Sequence, residues 1–247
     1  MKTLKSTLAL IALVIFAASC GPKGSTVETS DAKEVASATE ATSLAVNTES
    51  SVLTWIGSRP AGKHNGTIGI TTGEIQVNGN EIVAGNFVID ITTLTDLDMP
   101  ADNENNAKLV GHLMSADFFD AANYATATFE VTSVAVFNSA EVAADNDEFM
   151  TENAPAKTSE VMVANPTHFI SGNLTMRGTT KNITFPASVT IENGVVKAVA
   201  NFNINRTDWG LMYGDEAGAV DKAKDSFIYN TVTVGFELEA GTSATSE

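Results

Sequence analysis

The residues from Thr167 to Ile191 alternate so strictly that few folds can hold them. His168, Ile170, Gly172, Leu174 and Met176 fall on one face, and Phe169, Ser171, Asn173, Thr175 and Arg177 on the other. Gly178, Thr179 and Thr180 break the rhythm with turn chemistry, and Ile183, Phe185, Ala187, Val189 and Ile191 then resume an apolar face. A period of two is the mark of a half-buried strand, because successive side chains point to opposite sides of a sheet. Two such strands joined by a turn make a hairpin with one oily face. That face has to be covered by further strands of the same kind.

The chain supplies them. Ser51–Ile56, Thr67–Thr71, Glu74–Val77, Ile82–Thr92, Thr126–Phe137, Val195–Ile204 and Ile228–Glu239 read as strands. Asn78-Gly79 and Asn193-Gly194 are hairpin signals, since both residue types tolerate positive φ. Within Ile82–Thr92 the apolar face is Val83, Phe87, Ile89 and Ile91. Within Thr126–Phe137 it is Ala127, Phe129, Val131, Ala135 and Phe137. Gly57–Gly66 reads as a loop. Asn106–Met114 is one short helix, and Ser115–Asp120 a turn or a second helix capped by Ser115. The acidic segment Asn138–Pro166 is expected to be an exposed loop or an elongated hairpin end, and mobile. With no βαβ rhythm, the pattern predicts an all-β fold, an eight-stranded antiparallel up-and-down barrel with one or two short helices. Closure explains how so many strands do without covering helices. A two-sheet sandwich is the alternative.

Charge and composition narrow the partners. With 14 Lys and Arg against 30 Asp and Glu, the net charge is −16. No basic stripe is available to neutralise phosphates, so nucleic acid is excluded as a partner. Lys2 and Lys5 precede an apolar run from Leu8 to Ala18, too short to span a bilayer but suited to a signal-peptide core. Ala17-Ala18-Ser19-Cys20 resembles a bacterial lipoprotein cleavage site, in which Cys20 becomes the lipid-bearing first residue. Ala17 stands where that pattern usually has Leu, Val or Ile, which leaves ordinary secretory cleavage open. The expected organisation is a signal peptide over residues 1–19, a lipidated Cys20 with a disordered tether to residue 48, a barrel over 49–240 and a polar tail over 241–247. The tether, poor in large apolar residues, would reach on the order of 30 Å.

Catalytic and metal motifs are not evident. His64, His112 and His168 show no helical zinc spacing, and no Gly-x-Ser-x-Gly elbow occurs. Asp96-Leu97-Asp98 and Asp145-Asn146-Asp147-Glu148 lack the Gly and Glu of an EF-hand loop. The expectation is a protein that is not an enzyme, with no cofactor and no metal needed for folding.

Several ordered pieces resemble the YceI-like family of lipid- or polyisoprenoid-binding barrels. They are Leu53-Thr54-Trp55 with Gly62, His64 and Gly66; Phe87-Val88-Ile89-Asp90; Leu109-Val110-Gly111-His112-Leu113; Ser115–Asp120; Ala127-Thr128-Phe129; Gly172–Gly178 with Thr180-Lys181; and Asn205-Arg206-Thr207 before Trp209-Gly210. Two departures are Ala125, where the family often has Pro, and the long acidic insertion at 138–166. The resemblance implies a lipocalin-like barrel whose bore holds an isoprenoid or other long-chain lipid, for storage or transport in the bacterial envelope, periplasmic or at the outer membrane. The lining expected from the strand faces is Phe87, Ile89, Phe129, Val131, Ile170, Leu174, Ile183, Phe185, Trp209 and Phe236. Lys181 and Arg206 are candidates for a pyrophosphate or carboxylate headgroup, the competing reading being a structural ion pair or a solvated turn charge. Burying about ten methylenes would contribute on the order of 8 kcal/mol before ordering costs. The alternative function is a structural or interaction barrel with a packed interior and no ligand. Homodimerisation is left open by the sequence.

Overall fold

The computed structural model describes residues 26–38, 40–142, 148–222 and 226–242, so the expectations for the signal peptide and for Cys20 lie outside the described residues. Two short strands, β1 (Thr29–Ser30) and β2 (Thr42–Val46), precede eight longer ones. These are β3 (Val52–Arg59), β4 (Gly62–Asn78), β5 (Glu81–Asp90), β6 (Thr126–Val136), β7 (His168–Met176), β8 (Thr179–Glu192), β9 (Val195–Asn205) and β10 (Thr231–Gly241). Each of the eight pairs antiparallel with its neighbour in sequence, and β10 returns to β3, which closes the barrel. The expected up-and-down barrel is therefore the fold.

The local chemistry accounts for most of the turns. Asn193-Gly194 and Arg177-Gly178 both have positive φ at their two central residues, which matches the right-handed twist of the flanking strands. The β4–β5 turn differs from expectation by one residue. Asn78 pairs with Glu81, so Gly79-Asn80 forms the loop, with positive φ at Gly79. Helix α1 (Glu104–Met114) starts at Asn103, whose side chain accepts from the Asn105 N–H. Ser115–Asp120 is a series of turns rather than a helix, with Phe118 and Asp120 both donating to the Ser115 carbonyl.

Three expectations about strand phase are corrected, and the cause is the same each time. Between Ile70 and Thr72 in β4, between Ala84 and Ile82 in β5, and between Val131 and Ser133 in β6, one strand carries a residue with no partner opposite. Such a bulge inverts the inside–outside alternation. Thus Thr67–Thr71 and Glu74–Val77 are one bulged strand. Ala84, not Val83, is buried beside Phe87 and Ile89. Past Thr132 it is Val134, not Ala135, that packs on the core. The stretch Gly57–Gly66 is not a loop but the two arms of the β3–β4 hairpin, turning at Pro60-Ala61.

The tether is corrected too. Within residues 26–48, β2 bridges β4 and β10 beyond the reach of β3, and an N-terminal strap from Val27 to Ala36 crosses the barrel's outer face. β8 and β9 pair only over Ser188–Glu192 and Val195–Val199. Their other halves diverge, and the strap fills the seam. Val27 donates to the Asn203 carbonyl (2.8 Å), Thr29 and Ser30 pair with Ile183 and Asn182, and Ala36 donates to the Val131 carbonyl (2.9 Å). Asn173 grips the strap backbone with both ends of its amide, accepting from Lys33 N–H (3.0 Å) and donating to Lys33 O (2.7 Å). The composition of the strap is that of a disordered segment. What orders it is backbone pairing with β8 and β9 together with the side-chain amide of Asn173.

The acidic insertion also docks. Phe149 and Ala154 pack with Phe227 and Tyr229 in a small second core. The Tyr229 hydroxyl donates to Phe149 O (2.7 Å), and Asn203 and Asn153 donate to Ala156 O and Pro60 O. Residues 148–166 are thus fastened to the barrel, with a single helical turn α2 (Thr158–Val161), rather than hanging free.

Candidate functional site

The bore contains two adjoining chambers. The inner one, about 120 Å³, is walled entirely by apolar side chains and Gly85. Nine of the ten expected lining residues are there: Phe87, Ile89, Phe129, Val131, Ile170, Leu174, Ile183, Phe185 and Phe236. Its rings form a cluster, with Phe185 stacked on Phe202 at 4.2 Å and 4° and Phe129 5.7 Å from Phe185. Gly172 makes room for this cluster, since a Cβ there would lie 2.2 Å from the Phe129 ring.

The outer chamber is larger, about 850 Å³, and opens toward α1 and the segment after β9. Leu53, Ile89, Leu174, Ile204 and Val234 line both chambers, so the two share a wall. An inner void of that size holds a small apolar group at most, whereas the outer volume falls within the range of small-molecule sites. Sequence reasoning missed most of the outer wall. Leu109 and Leu113 of α1, Phe118, Tyr213 and Trp55 all contribute. The helical spacing of Leu109 and Leu113 was the one available signal. The indole N–H of Trp55 is buried and has no hydrogen-bond partner among the described residues. His112 stands edge-on to Phe118 (5.2 Å) and Tyr213 (4.6 Å) at this end.

Trp209 lines neither chamber. It is fully buried beneath the end of the barrel, where its indole N–H donates to Leu174 O (2.9 Å), so it supports the wall from behind. Lys181 lies opposite Leu174 in the β7–β8 ladder, is half-buried and also lines neither chamber. Arg206 borders the outer chamber, but its guanidinium is spent on the fold. It is 3% exposed and donates to Tyr229 O, Ile228 O, Leu211 O and Asn230 Oδ1. Burial lowers its pKa from the usual arginine value, against the attraction of Asp215 and Glu216. Of its two readings the geometry fits the structural one, with all hydrogen-bond partners inside the protein.

At the rim, residues far apart in sequence meet. The loop after β5 runs back along β4, with Thr95 and Leu97 donating to Thr67 O (2.9 Å) and Asn65 O (2.8 Å). Gly66 permits this, since a Cβ there would sit 1.8 Å from Thr95 O. Asp96 and Asp98 thereby reach His64, which also borders the outer chamber. Burial, helped by the Asp98 carboxylate, holds Asp96 above the ordinary carboxylate range. Burial also acts to raise Asp98, but the neighbouring Asp96 carboxyl and hydrogen bonds with the Asn65 N–H and His64 outweigh it and keep Asp98 low.

A closed antiparallel barrel with a deep apolar bore opening at one end defines the class, that of the small calyx-like barrels. Within it, the chain belongs to the YceI-like family, whose YceI-like domain matches residues 44–240. Two solved structures share the fold. The Burkholderia cenocepacia protein BcnA is 17% identical with a TM-score of 0.52, over 79% of this chain and 99% of that one. A polyisoprenoid binding domain from Saccharophagus degradans, implicated in plant cell wall breakdown, is 17% identical with a TM-score of 0.51, over 81% of this chain and 98% of that one. No functionally curated protein matches the chain.

Proposed function

We infer that the protein binds an isoprenoid or another long-chain lipid, its body in the outer chamber and its tail directed into the inner one, and that it stores or carries that lipid in the bacterial envelope. The observation that carries this reading is the shared wall of two chambers, the inner one without a polar side chain. A barrel with a packed interior would leave no such space. The polyisoprenoid binding domain of Saccharophagus degradans, alike in fold, supports the same class of cargo. Trp55 supplies an unpartnered donor on the outer wall, suited to a carbonyl, hydroxyl or phosphate oxygen of the cargo. The reading is one of binding, in keeping with the wholly apolar wall of the inner chamber.

Leu174 stands where the chambers meet, so Leu174→Trp tests the reading. In a packed core the added ring would destabilise the fold by about 1–3 kcal/mol. In a lipid site it occupies cargo space, so denaturant melting should change little while displacement of a fluorescent lipid falls sharply. Mass spectrometry of the extract from the purified protein should show one long-chain species, depleted in the variant. Loss of stability together with no lipid in the parent protein would favour the packed structural barrel.

The envelope address rests on the Lys2/Lys5, apolar run and Cys20 order of the N-terminus. Metabolic labelling with a fatty-acid analogue should mark the protein and spare Cys20→Ala. Equal label in both would remove the anchor from the proposal.

A further inference from the structure

The geometry points to a divalent-cation site at the rim of the barrel, formed by His64 of β4 with Asp96 and Asp98 of the loop that folds back on it. One ligand atom from each of the three residues lies within 4.8 Å of the other two. His64 Nδ1 is 3.0 Å from Asp98 Oδ2 and 3.9 Å from Asp96 Oδ1. Three donors around one tetrahedral or octahedral ion at ordinary metal–ligand distances of about 2.0–2.2 Å are separated by about this much.

The remaining carboxylate oxygens are already committed elsewhere. Asp98 Oδ1 accepts from the Asn65 N–H (3.0 Å). Asp96 Oδ2 accepts from the Met99 N–H (3.1 Å) and from Asn106 Nδ2 of α1 (3.2 Å). Carboxylates held from behind in this way present their free oxygens in a fixed direction, as the outer hydrogen bonds of metal sites do. The second observation is Asp96 itself. Its side chain is fully buried, and Oδ1, which faces His64, has no hydrogen-bond donor among the described residues. At 3.9 Å the imidazole is too far to serve as that donor. A buried carboxylate oxygen without a partner is costly, and a cation between it, Asp98 and His64 removes the cost.

The donor set names the class of ion. One imidazole nitrogen and two carboxylate oxygens suit a borderline first-row cation such as Zn²⁺ or Mn²⁺, with water completing the shell. Ca²⁺ and Mg²⁺ favour oxygen donors alone. The site does not depend on the lipid reading, because its donors are set by the rim loop folding back on β4, and of the three only His64 borders the outer chamber.

The test is calorimetric titration of purified, tag-free protein with Zn²⁺, with thermal melting in Zn²⁺ and in EDTA. One equivalent should bind saturably and raise the melting temperature. His64→Ala and Asp98→Asn should abolish both effects while the EDTA melting curves show each variant folded. Asn106→Ala leaves all three ligands in place but removes the amide that holds the rim loop from behind at Asp96 O, Asp96 Oδ2 and Met99 O, and should weaken binding by about 10–100-fold. Absence of saturable binding by the parent protein, or binding that survives both His64→Ala and Asp98→Asn, overturns the proposal.

Discussion

Arg206 shows how a charged residue in a family-like motif can serve the fold alone. Its guanidinium fans out to the carbonyls of Tyr229 and Ile228 at 3.1 and 3.0 Å and lies 5.8 Å from the centre of the Phe118 ring. A planar fork meets several carbonyls at once, which a lysine ammonium on a flexible stem cannot do. Arg206→Lys should therefore cost on the order of 3 kcal/mol in denaturant melting, from lost charge-assisted hydrogen bonds. Lipid displacement should be unchanged once the variant is folded. A variant of parental stability that had lost lipid would instead return Arg206 to the headgroup role. Nothing in the local sequence separated these roles, because the Ile228 and Tyr229 carbonyls it satisfies lie 22 and 23 positions away.

At the scale of elements, the seam between β8 and β9 has the largest consequence. A barrel whose neighbouring strands part over half their length leaves two unpaired edges, the feature that closure otherwise removes. The strap repairs it. Removing residues up to Ala38 takes away the Val27 side chain, whose burial accounts for about 1.5–3 kcal/mol, and strips β8 of its partners at Ile183 and Asn182. Melting should drop, and amide exchange around residues 182–183 should accelerate ahead of the β9–β10 ladder. Unchanged exchange there would mean that the strap merely rests on the surface. The strand pattern and the helix α1 were legible because both are local: alternation and helical spacing involve neighbours in sequence. The three bulges were not, since an extra residue such as Thr132 is recognised only against the strand it fails to pair with. The strap was not legible either, since its low apolar content argues for disorder until Asn173 and Asn203 are in place.

For the whole molecule, acid stability carries a readable sign. Burial acts to raise Asp215, but the Ala217 N–H, the Asn230 side chain and Arg206 together hold it below the ordinary carboxylate value. A depressed folded-state pKa contributes stability above the unfolded value, roughly pH 4, and that contribution is lost as pH falls through the folded value. The Asp215→Asn variant should thus melt below the parent at neutral pH, and the gap should close as pH drops beneath that range. A constant gap across the titration would assign the effect to packing. The sequence by itself determined the barrel, because alternating faces and tight turns are written residue by residue and an oily face has no other cover than more strands. It also determined nine of the ten residues expected in the bore, for the same reason. Only the tertiary structure decided that the bore widens into an outer chamber, that the strap closes the seam, and that His64 meets Asp96 and Asp98. Those features depend on which distant segments converge, and convergence is set by strand pairing, bulges and the close backbone approach at Gly66, none of which a local period encodes.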